Sequence, residues 1–271
     1  NYVLAANGIT VSVAKQTGLL VDLTNAYSMK LAFNNGPVLI DGEYSLTGAK
    51  PFVDGNRQGI EFTYTGDLKS IRWTMHPDGW LQLDYHYQKS GSFPYAGVSF
   101  NYPENYIISA KWLGNGPYRV WKNRLHGVTL NTWENMYNDA KAGIGPWTFP
   151  EFKGYFSDIS WMQFNTTQGK FLVVTEQDSM YVRLFDFYGI SGPKGYPQLP
   201  QGDISFLDAI PPIGTKLAMG INSRASVNGP AGELTVIDKS VSRTLYFYFG
   251  LPKGEKENTQ FVMPKVNILT D

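Results

Sequence analysis

The chain has no cysteine among its 271 residues and only three histidines. The absence of cysteine excludes disulfides, thiolate metal sites and a cysteine nucleophile, and a domain of this size needs no covalent cross-links to be stable. Net charge is lacking as well, because 23 Lys and Arg residues balance 23 Asp and Glu residues. With no basic excess, we expect neither nucleic acid nor an anionic membrane as a partner. We also expect no metal and no cofactor.

Long apolar runs and amphipathic helices are missing too. No run approaches the length of a transmembrane helix, and the first residues, from Asn1 to Val3, lack the charged and apolar regions of a signal peptide. What the chain does have is 28 glycines, 16 prolines and 15% aromatic residues, which is typical of a domain with many turns. The composition predicts one all-β domain over residues 1–250, followed by a polar extension over residues 251–271.

Period-two alternation identifies several strands. In the segment 58–66, Ile60, Phe62 and Tyr64 alternate with polar residues, which predicts one buried face. Residues 80–87 alternate in the same way after the Asp78-Gly79 turn, so the segments 58–66 and 80–87 are predicted to form a hairpin. The segment 171–175 is apolar on both faces, as expected of a strand in the middle of a sandwich, and 244–249 is predicted to be the final strand.

The segment from Trp112 to Arg124, called the signature segment below, combines Gly114, Gly116 and Pro117 with aromatic and guanidinium groups. We interpret it as a turn whose flanking rings and arginines are held at set angles. Such a turn suits a sugar-facing surface, but it is equally compatible with a buried turn closed by aromatic packing. The residues alone leave both readings open.

The signature segment resembles the Trp-Phe-Gly-x-Gly-Pro-x-Glu-Asn-Tyr-Pro-Asp-Arg pattern of the C-terminal domain of family-2 β-galactosidases, also called the β-galactosidase small chain. Other segments are similar to that domain in the same order along the chain, between residues 9 and 249. They are Ile9 to Leu20, Trp73 to Trp80, Phe93 to Val98, Tyr102 to Glu104, and Pro146 to Trp161.

The resemblance implies a large antiparallel supersandwich, the galactose-mutarotase-like fold. In family-2 enzymes the catalytic carboxylates lie on a separate (β/α)8 barrel, for which this chain has neither the length nor the strand-helix alternation. The resemblance therefore implies a non-catalytic domain that borders the active-site cleft of an upstream barrel in the same polypeptide. It further implies a neutral carbohydrate as ligand and a periplasmic or secreted location, with an export signal upstream of Asn1.

The candidate carbohydrate-binding residues are polar and aromatic side chains in or near the signature segment, and no catalytic residue is assigned. They are Trp112, Asn115, Tyr118, Arg119, Arg124, His126, Trp147 and Glu151. Trp133 and Trp147, in the stretch 131–149 with few strand signals, could stack on a sugar or close the end of the sandwich. Glu151 and Asp158 are the best acidic candidates, and we interpret each as a hydrogen-bond acceptor for a turn or for Arg124.

Two departures from the family pattern disfavour galactoside specificity. Residues 119–124 replace most of the family's acidic turn and keep only the final Arg124, and the late loop 219–224 carries no tryptophan. Two other functions stay open. A free-standing epimerase-like enzyme would need a histidine acid and a carboxylate base, for which His126 is the one histidine worth considering. An independent carbohydrate-binding module would bind sugar without any hydrolase domain.

Overall fold

The computed structural model describes residues 1–138, 152–186, 199–212 and 234–250. Within these ranges the chain forms seventeen strands and one short 3-10 helix, Glu104–Tyr106. The strands are β1 Tyr2–Ala6, β2 Ile9–Val13, β3 Leu20–Thr24, β4 Asn34–Leu39, β5 Tyr44–Asp54, β6 Arg57–Gly66, β7 Leu68–Met75, β8 Leu81–Phe93, β9 Ala96–Asn101, β10 Ile107–Gly116, β11 Thr129–Met136, β12 Gly154–Phe156, β13 Trp161–Thr166, β14 Gly169–Thr175, β15 Tyr181–Leu184, β16 Ile204–Ala209 and β17 Thr235–Phe249.

The strands form two large antiparallel sheets. One has eight strands in the order β1-β2-β3-β4-β9-β16-β15-β12, and the other has nine in the order β11-β10-β13-β14-β17-β8-β7-β6-β5. Aromatic rings from both sheets meet between them. Phe100 of the eight-stranded sheet stacks on Phe33 at 4.7 Å, and Phe33 in turn lies 5.6 Å from Phe247 of the nine-stranded sheet. The predicted all-β antiparallel sandwich is confirmed.

The four segments predicted as strands fall in β6, β8, β14 and β17. On β6, Ile60, Phe62 and Tyr64 are buried as predicted. The predicted hairpin between segments 58–66 and 80–87 is wrong, because the Asp78-Gly79 turn joins β8 to β7, and β7 lies between β8 and β6. The predicted middle strand is β14, which is buried along residues 171–175 and lies between β13 and β17. The final strand is longer than expected, because β17 begins at Thr235.

Three expectations about irregular segments are corrected. The signature segment begins as a strand, since β10 continues through Trp112 to Gly116 and pairs with β11 and β13. Part of the stretch 131–149 is strand β11, and the stretch 188–212, whose glycine and proline content predicts an irregular rim, contains strand β16. Cross-strand pairing supplied the backbone partners that local sequence could not indicate. The extension 251–271 and the late loop 219–224 lie outside the described residues.

A second, smaller apolar cluster covers the outer face of the eight-stranded sheet. It contains Ile40, Val120, Trp121, Tyr155, Leu207 and Ile210. The signature segment folds over this face, because the Val120 amide donates to the Tyr155 carbonyl at 2.7 Å and the Lys122 amide donates to the Pro211 carbonyl at 3.0 Å. This second layer brings the signature segment onto the sheet.

Candidate functional site

Gly114 shows how the signature segment is built. A Cβ at this position would lie 2.7 Å from Ile159 Cδ1 and 2.9 Å from the Asp158 carbonyl oxygen. Glycine is therefore required because residues 158–159 approach this position closely, and the position is inside strand β10 rather than in a turn. After Gly116 the chain leaves the sheet, buries Val120 and Trp121, and returns to solvent at Arg124.

Trp112 belongs to the core. Its side chain is 1% exposed, its ring centroid lies 5.0 Å from that of Phe156, and its Nε1 donates to the Asn115 carbonyl at 3.1 Å. An indole buried between two sheets has no free face for a sugar. The surface described below therefore does not include Trp112, and the aromatic-packing alternative applies to this residue.

Asn115 and Asp158 are brought together where β10 ends. The Asn115 side-chain amide donates to Asp158 Oδ2 at 2.5 Å and to Ser157 Oγ at 3.1 Å, and the Asn115 backbone amide donates to the Ser157 carbonyl at 2.9 Å. Asp158 is exposed and has a φ of 52°. Its carboxylate thus accepts a hydrogen bond from a neighbouring segment, as expected from the sequence, although the donor is Asn115 and not Arg124.

The exposed part of the signature segment carries Tyr118, Arg124 and His126. Tyr118 is 62% exposed, and the other two side chains are also exposed. No carboxylate in the described ranges pairs with the Arg124 guanidinium. These three exposed side chains belong to or directly follow the signature segment, which stays a candidate for carbohydrate contact.

Arg119 has a supporting role. It is half-buried, and its Nη1 donates to the Lys153 carbonyl at 2.9 Å. Its aliphatic part covers Gly154, where an added Cβ would lie 3.0 Å from Arg119 Cδ.

Trp133 is half-buried against the core and donates from Nε1 to the Thr129 carbonyl at 3.0 Å. Two further candidates, Trp147 and Glu151, lie outside the described residues.

The other two histidines lie on the nine-stranded sheet and its β7-β8 turn. His76 Nε2 shares a hydrogen bond with Gln82 Oε1 at 2.9 Å, and His86 Nε2 shares one with Ser240 Oγ. In the described part of the chain, no group of three or more histidine, aspartate or glutamate side chains could hold a metal ion. The exposed polar side chains of the signature segment can form hydrogen bonds and surface contacts with a ligand. The epimerase-like alternative stays a prediction.

Sequence reasoning missed a buried polar group on the outer face of the eight-stranded sheet. Arg183, on β15, is fully buried and donates to Ser205 and to three backbone carbonyls of residues 200–202. Its Nη1 and the hydroxyl of Tyr155 are buried and have no hydrogen-bond partner among the residues that the structure describes. Burial lowers the pKa of Arg183 and raises that of Tyr155. The sequence signal for this buried group is a single arginine in the otherwise mostly apolar segment 180–185.

These features define an all-β domain of two stacked antiparallel sheets, with a glycine-rich segment folded over one outer face. A family model described as "Beta galactosidase small chain" matches residues 48–191, which is more than half of the chain. The chain belongs to this family, and the predicted resemblance is confirmed. The matched range includes the whole signature segment.

Curated relatives match a shorter part of the chain. A quinoprotein ethanol dehydrogenase of Pseudomonas aeruginosa is 29% identical over 104 residues, and one of Pseudomonas putida is 27% identical over 103 residues. Each match covers 36% of this chain and 16% of the relative. The chain therefore spans less than a fifth of the length of these relatives.

Solved structures with a similar arrangement include two from Lactobacillus acidophilus. A galactose 1-epimerase is 12% identical with a TM-score of 0.48, and the match covers 90% of this chain and 92% of that one. A galactose mutarotase related enzyme is 8% identical with a TM-score of 0.41, and the match covers 94% of this chain and 98% of that one.

Within the described ranges, no helix is long and apolar enough to cross a membrane.

Proposed function

We propose that this chain is the non-catalytic C-terminal domain of a β-galactosidase-like family-2 glycoside hydrolase, bordering the active-site cleft of a catalytic barrel in the same polypeptide. The observation that carries the proposal is the match to the β-galactosidase small chain over residues 48–191. The parent enzyme is proposed to be periplasmic or secreted and to act on a neutral carbohydrate.

Exposed apolar side chains support contact with a neighbouring domain. They lie on strand β11, at one edge of the described nine-stranded sheet, and in or next to the signature segment, where Leu130 is 67% exposed and Tyr118, Leu125 and Met136 are also exposed. Leu130 and Met136 lie near opposite ends of β11, so they mark separate points of contact along this edge. The proposed occupant is the barrel domain, because Tyr118 and Leu125 lie within or next to the signature segment that resembles the family's cleft-bordering turn.

The roles of the carboxylates also support a non-catalytic domain. Glycoside hydrolysis by the usual mechanisms needs two carboxyl groups that face each other across the scissile bond. Asp158 is engaged by Asn115, and Asp208 accepts from Tyr87 and pairs with Arg243 at 2.6 Å. These contacts support a structural role for both carboxylates.

The first prediction is that the isolated chain does not hydrolyse glycosides. Nitrophenol release from a panel of nitrophenyl glycosides should equal that of a heat-denatured control, whereas the polypeptide that includes the upstream coding region should be active on at least one of them. Activity that copurifies with the isolated chain would refute the proposal. A parallel assay of anomer exchange with glucose and galactose would detect the epimerase-like alternative.

The second prediction concerns Arg124. Because its side chain is exposed and unpaired in the described part of the chain, Arg124→Ala should change the free energy of unfolding by no more than about 0.5 kcal/mol. If the surface borders the cleft, kcat/KM of the full-length polypeptide should fall about tenfold, which corresponds to one charge-assisted contact. Urea unfolding and steady-state kinetics provide the two measurements.

Arg57→Ala is the matched control, since Arg57 is an exposed arginine at the start of β6, near the opposite edge of the described sheet. The control should leave both stability and kinetics unchanged. Unchanged kinetics for Arg124→Ala would remove this residue from the cleft surface.

A further inference from the structure

We propose a second carbohydrate-binding subsite, separate from the signature segment, in a cavity on the outer face of the eight-stranded sheet. The ligand is a neutral saccharide unit held by the side chains of Ser99, Asn101 and Gln201. The inference deepens the proposed function, on which the choice of a carbohydrate as ligand rests.

The cavity has a volume of about 590 Å³ and lies over strands β4 and β9. Ser99 and Asn101 of β9 line it together with residues 38–40, and Gln201 and Gly202 form one wall. Asp41, Gly42 and Tyr44 complete its lining on another side, with Asn35. A volume of several hundred Å³ is in the range of small-molecule sites and accommodates one or two sugar rings.

A hydrogen-bond relay from Arg183 gives Ser99 a defined role. Arg183 donates to Ser205 Oγ from Nε at 3.2 Å and from Nη2 at 2.8 Å, and Ser205 Oγ lies 2.6 Å from Ser99 Oγ. A hydroxyl group has two lone pairs and one proton. When Nε and Nη2 of Arg183 both donate to Ser205 Oγ, its two lone pairs are occupied and Ser205 donates its proton to Ser99.

The consequence is an available donor at the floor of the cavity. In this arrangement Ser99 accepts from Ser205, so the Ser99 proton needs another acceptor, and none is found for it in the described part of the chain. Ser99 is only 4% exposed, and buried polar groups normally have their hydrogen bonds made. A ligand hydroxyl or ring oxygen in the cavity would satisfy this donor.

The two walls are held by buried cations. Arg183 Nη2 donates to the carbonyls of Gln201 and Gly202 at 3.2 and 2.9 Å, which places that segment against Ser99. At Gly202, where φ is 87°, an added Cβ would lie 2.9 Å from Ser99 Cβ. On the other side, Lys89 Nζ donates to the carbonyl of Asp41 at 2.7 Å. The cavity is thus pre-organised, which lowers the entropic cost of binding.

The lining chemistry indicates a neutral polyol. Three amide side chains, a hydroxyl and a tyrosine can each donate to and accept from sugar hydroxyls. Asp41 is the one charged residue among the lining residues, and its negative charge disfavours a uronic acid. The ring of Tyr44 offers a surface for the C-H face of a sugar.

The test uses the complete chain and NMR titration with methyl β-galactoside and methyl β-glucoside, with glucuronate as the charged counterpart. At concentrations on the order of 10 mM, the expected result is a set of amide shift changes at Gly42, Ser99, Asn101 and Gly202 with one of the neutral glycosides. Shift changes confined to the signature segment, no changes at all, or changes only with glucuronate would overturn the subsite.

Two variants separate binding from folding. Asn101→Ala removes a half-buried amide and should weaken binding about fivefold to tenfold, while Ser99→Ala should weaken it similarly through loss of the relay donor. Asn131→Ala, an exposed asparagine on β11 of the other sheet, is the matched control and should bind normally. Unchanged binding by Asn101→Ala would also overturn the subsite.

The outcomes for this subsite and for the proposed function are distinguishable. If the full-length polypeptide hydrolyses glycosides while the isolated chain shows no shift changes in the cavity, the subsite fails and the proposed function stands. If the cavity binds sugar and no upstream catalytic region exists, the subsite stands and the hydrolase role fails.

Discussion

Replacement of Trp112 by alanine is expected to destabilise the domain by about 3–5 kcal/mol, the usual range for a large aromatic residue removed from a core. The indole is buried between the sheets, in contact with Phe156, and its Nε1 donates to the Asn115 carbonyl. The variant loses the transfer free energy of the ring and leaves a cavity beside β13, whose Met162 pairs with Trp112. Urea unfolding monitored by circular dichroism measures the change.

The control for this prediction is Tyr118→Ala, in the same segment. Tyr118 is mostly exposed, so its loss should change the free energy of unfolding by less than about 0.5 kcal/mol. A small effect of Trp112→Ala, together with loss of sugar binding, would instead return Trp112 to the carbohydrate-binding surface. A large loss of stability identifies it as a core residue.

Replacement of Arg183 by alanine is expected to destabilise the domain by about 3 kcal/mol or more. The change removes hydrogen bonds from a charged donor to Ser205 and to the carbonyls of Pro200 and Gly202, each worth about 1.5–3 kcal/mol where the donor is ionised. The carbonyls and the serine then stay buried with fewer partners. Thermal and urea unfolding should agree on the loss.

Arg183→Lys should restore little of the stability, because a lysine ammonium cannot reproduce the planar fork that reaches Ser205 and the 200–202 segment at once. Arg57→Ala, at an exposed position at the start of β6, is the matched control and should behave like the original chain. Full stability of Arg183→Ala would contradict the relay and, with it, the pre-organised cavity wall. The same variants also report whether the cavity binds sugar after its wall is loosened.

The strands were predictable wherever one face is buried and the other is exposed. On β6 the alternation of Ile60, Phe62 and Tyr64 with polar residues follows directly from the period of two in a strand. The β7-β8 turn was predictable from Asp78-Gly79, since glycine adopts the φ of 97° found at Gly79 without strain. The family was predictable because its short motifs occur in a fixed order along the chain.

The role of the signature segment was decided by tertiary structure. From sequence, Gly114 and Gly116 indicate a turn, but in the fold Gly114 lies within β10. A side chain is excluded at this position because Ile159 and the Asp158 carbonyl approach it too closely. The same strand buries Trp112. Glycine can mark either a turn or a close approach, and only the neighbouring segment distinguishes the two.

The sequence by itself determined that the chain is an all-β member of a known family, because strand periodicity and turn residues are local properties. The tertiary structure alone decided which polar side chains form a site. Ser99, Arg183 and Ser205 lie on three different strands, and no local pattern relates them. Their relay exists because antiparallel pairing of β9, β16 and β15 places these residues side by side on one face of the sheet.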